Sequence, residues 1–149
     1  RNREHVRHIA VAEVKYTPPL ETWEQAMLFQ WAEAASGMLP ELQDLFAVPN
    51  GSHKSPATAA KFKREGLKRG VPDVILPHAR GGYHALYVEM KRQRVKGERV
   101  ELRAGTRPKE AQRDWHERLK AAGNRVEVCY GWEDARGVIE QYLKMKPSA

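Results

Sequence analysis

The apolar positions of this 149-residue chain change their period several times, and each change predicts an element. Met27, Leu28, Trp31 and Ala35 recur at helical spacing. They predict a helix that Thr22 caps, that runs to about Ser36 and that Gly37 closes. Phe46-Ala47-Val48 reads as a short strand entering the turn Pro49-Asn50-Gly51. Ser55 followed by Pro56 opens a second helix that reaches about Gly66. Residues 71–77 and 84–91 are two strand-like runs around Gly81-Gly82, the pattern of a hairpin. Residues 92–105 show no apolar period and read as a long basic loop or flap. Pro108 starts a helix to Ala122, stopped by Gly123-Asn124. Residues 125–130 form a strand and residues 132–144 a closing helix. Residues 1–20 read as an irregular extension, with a short strand over 9–14, ending at Pro18-Pro19. The order helix, short strand, helix, two strands, helix, strand, helix predicts an α/β domain. Its small mixed central sheet is flanked by helices.

The length fits a single domain spanning 1–149, and 41% hydrophobic residues are enough for a real core. No apolar run is long enough to span a membrane. No signal-peptide pattern stands out. Cys129 is the only cysteine, so no internal disulfide is available. Its strand-like surroundings suggest a buried thiol, which fits a reducing cytoplasm.

The net charge of +7 is unevenly spread. Residues 1–50 hold four Lys/Arg against seven Asp/Glu, residues 51–70 six against one, and residues 91–120 eleven against five. Two basic stretches therefore bracket the 71–91 hairpin, as a polyanion-binding surface would. The candidate nucleic-acid-backbone contacts, which the family resemblance given below would make DNA contacts, are Lys54, Lys61, Arg64, Lys68 and Arg69, then Arg94, Lys96, Arg99 and Arg103. Lys61, Arg64 and Lys68 recur at helical spacing and are expected on one face.

The bracketed hairpin carries the chemistry. Asp73 follows Pro72 at the start of one strand, and Glu89-Met90-Lys91 ends the next. Two carboxylates can hold a hard divalent cation through oxygen. Such a cation activates water and stabilises charge on a scissile phosphate. A nearby lysine can orient or deprotonate that water. Glu89 and Lys91 are two apart, so in a strand they share a face, while Leu86, Val88 and Met90 take the core face. The competing reading is a solvated outer face of Tyr87, Glu89 and Lys91. Glu24 lies on the apolar stripe of the first helix, whereas Glu33 lies opposite, in solvent. A carboxylate there is either paired or cation-bound, or simply favoured in a first helical turn.

Several stretches together resemble one family. They are Val48-Pro49-Asn50-Gly51, Gly66-Leu67-Lys68-Arg69-Gly70-Val71-Pro72-Asp73, Val88-Glu89-Met90-Lys91, and Gln112 opening a helix that ends Leu119-Lys120-Ala121-Ala122-Gly123. With the strand and helix that follow, the chain from about residue 22 to 143 resembles the VRR-NUC nucleases of the PD-(D/E)xK superfamily. The resemblance implies a restriction-endonuclease-like core. It also implies a site of Glu24, Asp73, Glu89, Lys91 and Gln112, with Mg²⁺ or Mn²⁺ on Asp73, Glu89, the Met90 carbonyl and Glu24. Lys91 would then position or deprotonate the water, and Gln112 would orient Lys91 or a phosphate oxygen. Family members usually carry proline two residues before this glutamine; here Pro108 is four before. Stand-alone members of this size imply a homodimer that resolves four-way DNA junctions, with no small-molecule cofactor and no membrane. The alternatives are a monomeric flap or single-strand nuclease, a non-catalytic DNA-binding module on a nuclease fold, and an RNA-binding domain. His53, His78 and His84 match no zinc spacing.

Overall fold

Leu86, Val88 and Met90 alternate along one strand and all are buried, which puts that strand in the middle of the sheet. The computed structural model describes residues 17–49, 55–96, 99–101 and 107–148, with the backbone alone for 94–96 and 99–101. In chain order the elements begin with α1 (Glu21–Ala35), a 3₁₀ turn (Pro40–Asp44), β1 (Phe46–Ala47) and α2 (Pro56–Arg64). They continue with β2 (Val74–Leu76), β3 (Leu86–Lys91), β4 (Arg94–Lys96) and β5 (Arg99–Glu101). The chain closes with α3 (Glu110–Ala121), β6 (Arg125–Tyr130) and α4 (Trp132–Lys144).

Among the described residues the main sheet has the order β1-β2-β3-β6. β2 pairs antiparallel with β3, Val74 opposite Val88. β3 pairs parallel with β6, from Leu86 opposite Arg125 to Lys91 opposite Tyr130. The sheet is therefore mixed, as the element order predicts. Leu28 and Ala32 of α1 and Ala135, Ile139 and Tyr142 of α4 join Leu86, Val88 and Met90 in one core cluster. Each large buried side chain contributes about 1.5–3 kcal/mol. Since α1 and α4 cover the Met90 face, Glu89 and Lys91 point to the opposite face by strand alternation. Tyr142 locks α4 in place: its hydroxyl donates to His78 O at 2.7 Å.

Several boundaries differ from the sequence reading. α1 begins after Leu20, which makes no side-chain cap, and Thr22 lies inside the helix. Arg92 explains the early start. Its guanidinium donates to Pro18 O at 2.7 and 3.1 Å, and its N–H to Glu21 Oε1 at 3.2 Å. The buried row of α1 is Glu24, Leu28 and Ala32, rotated from the expected stripe. α2 stops at Arg64, so Lys68 lies beyond it and not on its face. Gly66 at φ 98° ends that helix, with Leu67 N–H on Phe62 O and Gly66 N–H on Lys63 O. β2 is shorter than 71–77, because Pro72 has no N–H to give the ladder. The basic segment 92–105 is not simply a loop: β4 and β5 pair antiparallel, Arg94 opposite Glu101 and Lys96 opposite Arg99. The strand expected at 9–14 lies outside the described residues. β6 and α4 fall where the sequence puts them.

Candidate active site

β3 ends at Lys91, and its neighbour β2 runs antiparallel, so the residue just before β2 lies at the same end of the sheet. That residue is Asp73. Its Oδ2 accepts the Met90 N–H at 2.8 Å, tying the two strand ends together beyond their ladder. A residue's N–H and C=O leave a strand on the same edge, so the Met90 carbonyl also faces the Asp73 side.

Glu89 is 1% exposed and Lys91 is 7% exposed. The reading as a solvated outer face therefore fails. Lys91 Nζ lies 3.1 Å from Glu89 Oε1. Lys91 Nζ also donates to Gln112 Oε1 at 3.1 Å, and Gln112 Nε2 donates to Glu89 Oε1. Gln112 thus bridges acid and base. Its own rotamer is held because Oε1 also accepts the Lys109 N–H at 2.8 Å, the return contact of a helix-capping glutamine at N3. The shifted Pro108 does not displace Gln112 from Lys91.

α3 also fixes the segment that leads into Asp73. Trp115 Nε1 donates to Arg69 O at 2.9 Å. Gly70, at φ 84°, lies so close to the helix that a Cβ there would fall 2.6 Å from Ala111 O and 2.9 Å from Gln112 N. One helix therefore places Gln112 on Glu89 and braces the approach to Asp73.

Glu24 is 3% exposed but is occupied elsewhere. Its Oε2 accepts the Trp132 N–H at 2.8 Å, which puts a negative charge on the start of α4. α1 packs on the Met90 face, across the sheet from Glu89. Among the described residues no three His, Cys, Asp or Glu side chains converge as a metal cluster. The described contacts gather Asp73, Glu89, Lys91 and Gln112, while Glu24 bonds the start of α4, just beyond Tyr130, the β6 residue opposite Lys91.

The donor set nevertheless suits Mg²⁺ or Mn²⁺. Glu89 Oε1 already takes two donors, while Oε2 is buried with no hydrogen-bond partner among the described residues. Such an oxygen retains lone pairs for a cation. Mg²⁺ is commonly bound by one or two carboxylates, with water and substrate phosphate completing its shell.

The other predicted residues scatter. Lys61, Arg64, Lys68 and Arg69 are exposed, and Lys61 pairs weakly with Glu65 at 3.8 Å. For Arg94, Lys96 and Arg99 only the backbone is described, and Lys54 and Arg103 lie outside the described residues. His78 Nε2 is bound to Asp44 Oδ2 at 2.8 Å, and His53 lies outside the described residues. One histidine was missed. His116, 6% exposed, places Nε2 3.7 Å from Glu89 Oε2. Its signal was present in the sequence: it sits four residues after Gln112, on the same helical face.

A mixed sheet with Asp73 entering one strand and Glu89-Met90-Lys91 closing the next, backed by a helix glutamine, is a restriction-endonuclease-like core. The VRR-NUC domain model matches residues 17–133, and the chain belongs to the VRR-NUC family. It is thereby a nuclease domain of the PD-(D/E)xK type, a class that acts on DNA and generally uses divalent metals. A solved VRR_NUC domain protein superposes with a TM-score of 0.69 at 27% sequence identity, over 89% of this chain and 94% of that one. Among curated proteins none matches the sequence. No helix among the described residues is long and apolar enough to cross a membrane.

Proposed function

We propose that this chain is a metal-dependent, structure-selective DNA endonuclease that resolves four-way junctions as a homodimer. The observation that carries the chemistry is the convergence of Asp73, Glu89, Lys91 and Gln112 at one end of the sheet. Asp73 and Glu89 hold Mg²⁺ or Mn²⁺, helped by the Met90 carbonyl. When bound, the cation supplies positive charge at the scissile phosphate and lowers the pKa of water. Lys91 stands between Glu89 Oε1 and Gln112 Oε1, which aims its amine at one place, so it positions or deprotonates the attacking water. Gln112 keeps that aim. Glu24 contributes from the sheet end through water, with its Oε2 kept on the Trp132 N–H.

Substrate choice rests on the basic surface. The exposed Lys61, Arg64, Lys68 and Arg69 lie before the hairpin, and the 94–103 basic segment after it, where both can follow phosphates without reading bases. Resolving a four-way junction takes two symmetric cuts, and a twofold dimer supplies two sites.

The test uses linear duplex, flap and four-way-junction DNA, each with and without Mg²⁺, together with sedimentation at micromolar protein. The expected result is a dimer that cuts junctions in preference to duplex and weakens steeply as salt rises. A monomer that cuts flaps as readily as junctions would overturn the substrate assignment.

A further inference from the structure

His116 has no role in the reading above, yet its placement is specific. Its side chain is buried, and Nε2 has no hydrogen-bond partner among the described residues. Glu89 Oε2 is in the same condition, 3.7 Å away. An unsatisfied buried polar atom costs about 1–3 kcal/mol. Two such atoms facing each other are resolved together by a ring shift of less than about 1 Å, which brings them to ordinary N–H···O distance. A core histidine present only for packing would not need to aim a bare nitrogen at a buried carboxylate.

We propose that His116 is a positioning residue for Glu89, with its Nε2–H donating to Glu89 Oε2. Rotation of the Glu89 carboxylate is then stopped at both ends: Lys91 and Gln112 hold Oε1, and His116 holds Oε2. A carboxylate oxygen has two lone-pair sites, so Oε2 accepts from His116 and keeps one for the cation. The arrangement parallels the partners that orient metal-binding carboxylates elsewhere, whose loss costs about 10–100-fold in metal affinity or activity. Because Gln112 and His116 lie one helical turn apart, a single helix sets both oxygens. This inference rests on Glu89 being a cation ligand.

The test uses the full chain and three variants at one fixed pH. His116→Leu keeps bulk without a donor, and His116→Gln returns an amide donor to nearly the same place. Glu89→Gln removes the acceptor charge. Mn²⁺ binding by calorimetry should weaken about tenfold or more in His116→Leu and recover to within a few-fold in His116→Gln. Imidazole ¹H–¹⁵N spectra of the wild type should show a slowly exchanging Hε2 that shifts or vanishes in Glu89→Gln. If the leucine variant binds Mn²⁺ as wild type does, or the Hε2 signal is absent or indifferent to Glu89→Gln, His116 does not position Glu89. Should His116→Leu fail to fold, the glutamine variant and the wild-type spectrum still decide. If Glu89→Gln binds Mn²⁺ undiminished, the cation assignment itself falls, and the spectrum alone judges the hydrogen bond.

Discussion

Lys91 Nζ and Glu89 Oε1 stand 3.1 Å apart with both side chains buried, an arrangement that serves chemistry better than stability. Removing one member of a buried ion pair costs about 3–5 kcal/mol, whereas replacing both by neutral groups is often harmless. Lys91→Met should therefore lower the melting temperature and reduce the rate of the chemical step by about 10² or more. Adding Glu89→Gln to Lys91→Met should restore most of the stability and none of the cleavage. Denaturant titration and single-turnover rates measure the two effects separately. If the double variant is no more stable than Lys91→Met, Lys91 and Glu89 are not an energetically coupled buried pair. Glu24 invites a different substitution. Glutamine keeps a carbonyl for the Trp132 N–H, so Glu24→Gln should leave the melting temperature nearly unchanged and slow cleavage. Normal cleavage would make Glu24 a support for α4 and nothing more.

At the scale of elements, α3 is the part on which the site depends. Gly70 meets its backbone, which cannot give way, and φ 84° strains any L side chain there. Gly70→Ala should destabilise the fold by about 1–3 kcal/mol. It should also cut activity more than an equally destabilising core substitution, because it moves Gln112 and the approach to Asp73 together. A melting curve beside a cleavage rate checks this, and unchanged cleavage would contradict it. α4 offers a pH test. Burial raises the Tyr142 phenol above its ordinary range near 10. With the folded value above the unfolded one, the stabilisation is complete below pH 10 and is lost as pH climbs through the folded value. Alkaline unfolding should be shallower in Tyr142→Phe, read as melting temperature against pH. Strands and helices with strong periods, β6 and α4 above all, were legible in the sequence. The hairpin β4–β5 was not, because each strand is three residues and two of every three are charged, so the alternation around Val95 and Val100 looks like a solvated loop. The start of α1 was also hidden, since its cause is Arg92, 71 residues beyond Glu21.

For the whole molecule, the sequence motifs named the chemistry, but only the fold shows how their members meet. Asp73 and Glu89 are sixteen residues apart, and an antiparallel pair brings them to one end of the sheet. Gln112 comes from a helix on the Glu89 face, which no local pattern could reveal. His116 carries no metal-site spacing in the sequence, because here a single histidine faces a carboxylate. The sequence leaves Glu24 open between a bound or paired carboxylate and one favoured in a first helical turn, and its described partner is the start of α4. The central claim is that Asp73 and Glu89 together hold the cation that makes this fold a nuclease. The most direct measurement is cleavage of a labelled four-way junction by wild type, Asp73→Asn and Glu89→Gln, titrated with Mg²⁺ and paired with a DNA-binding assay. The account predicts cutting by wild type only when Mg²⁺ is added, no cutting by either variant, and near-normal DNA binding by all three. Substantial Mg²⁺-dependent cutting by either variant, or cutting by the wild type in chelator, would contradict it.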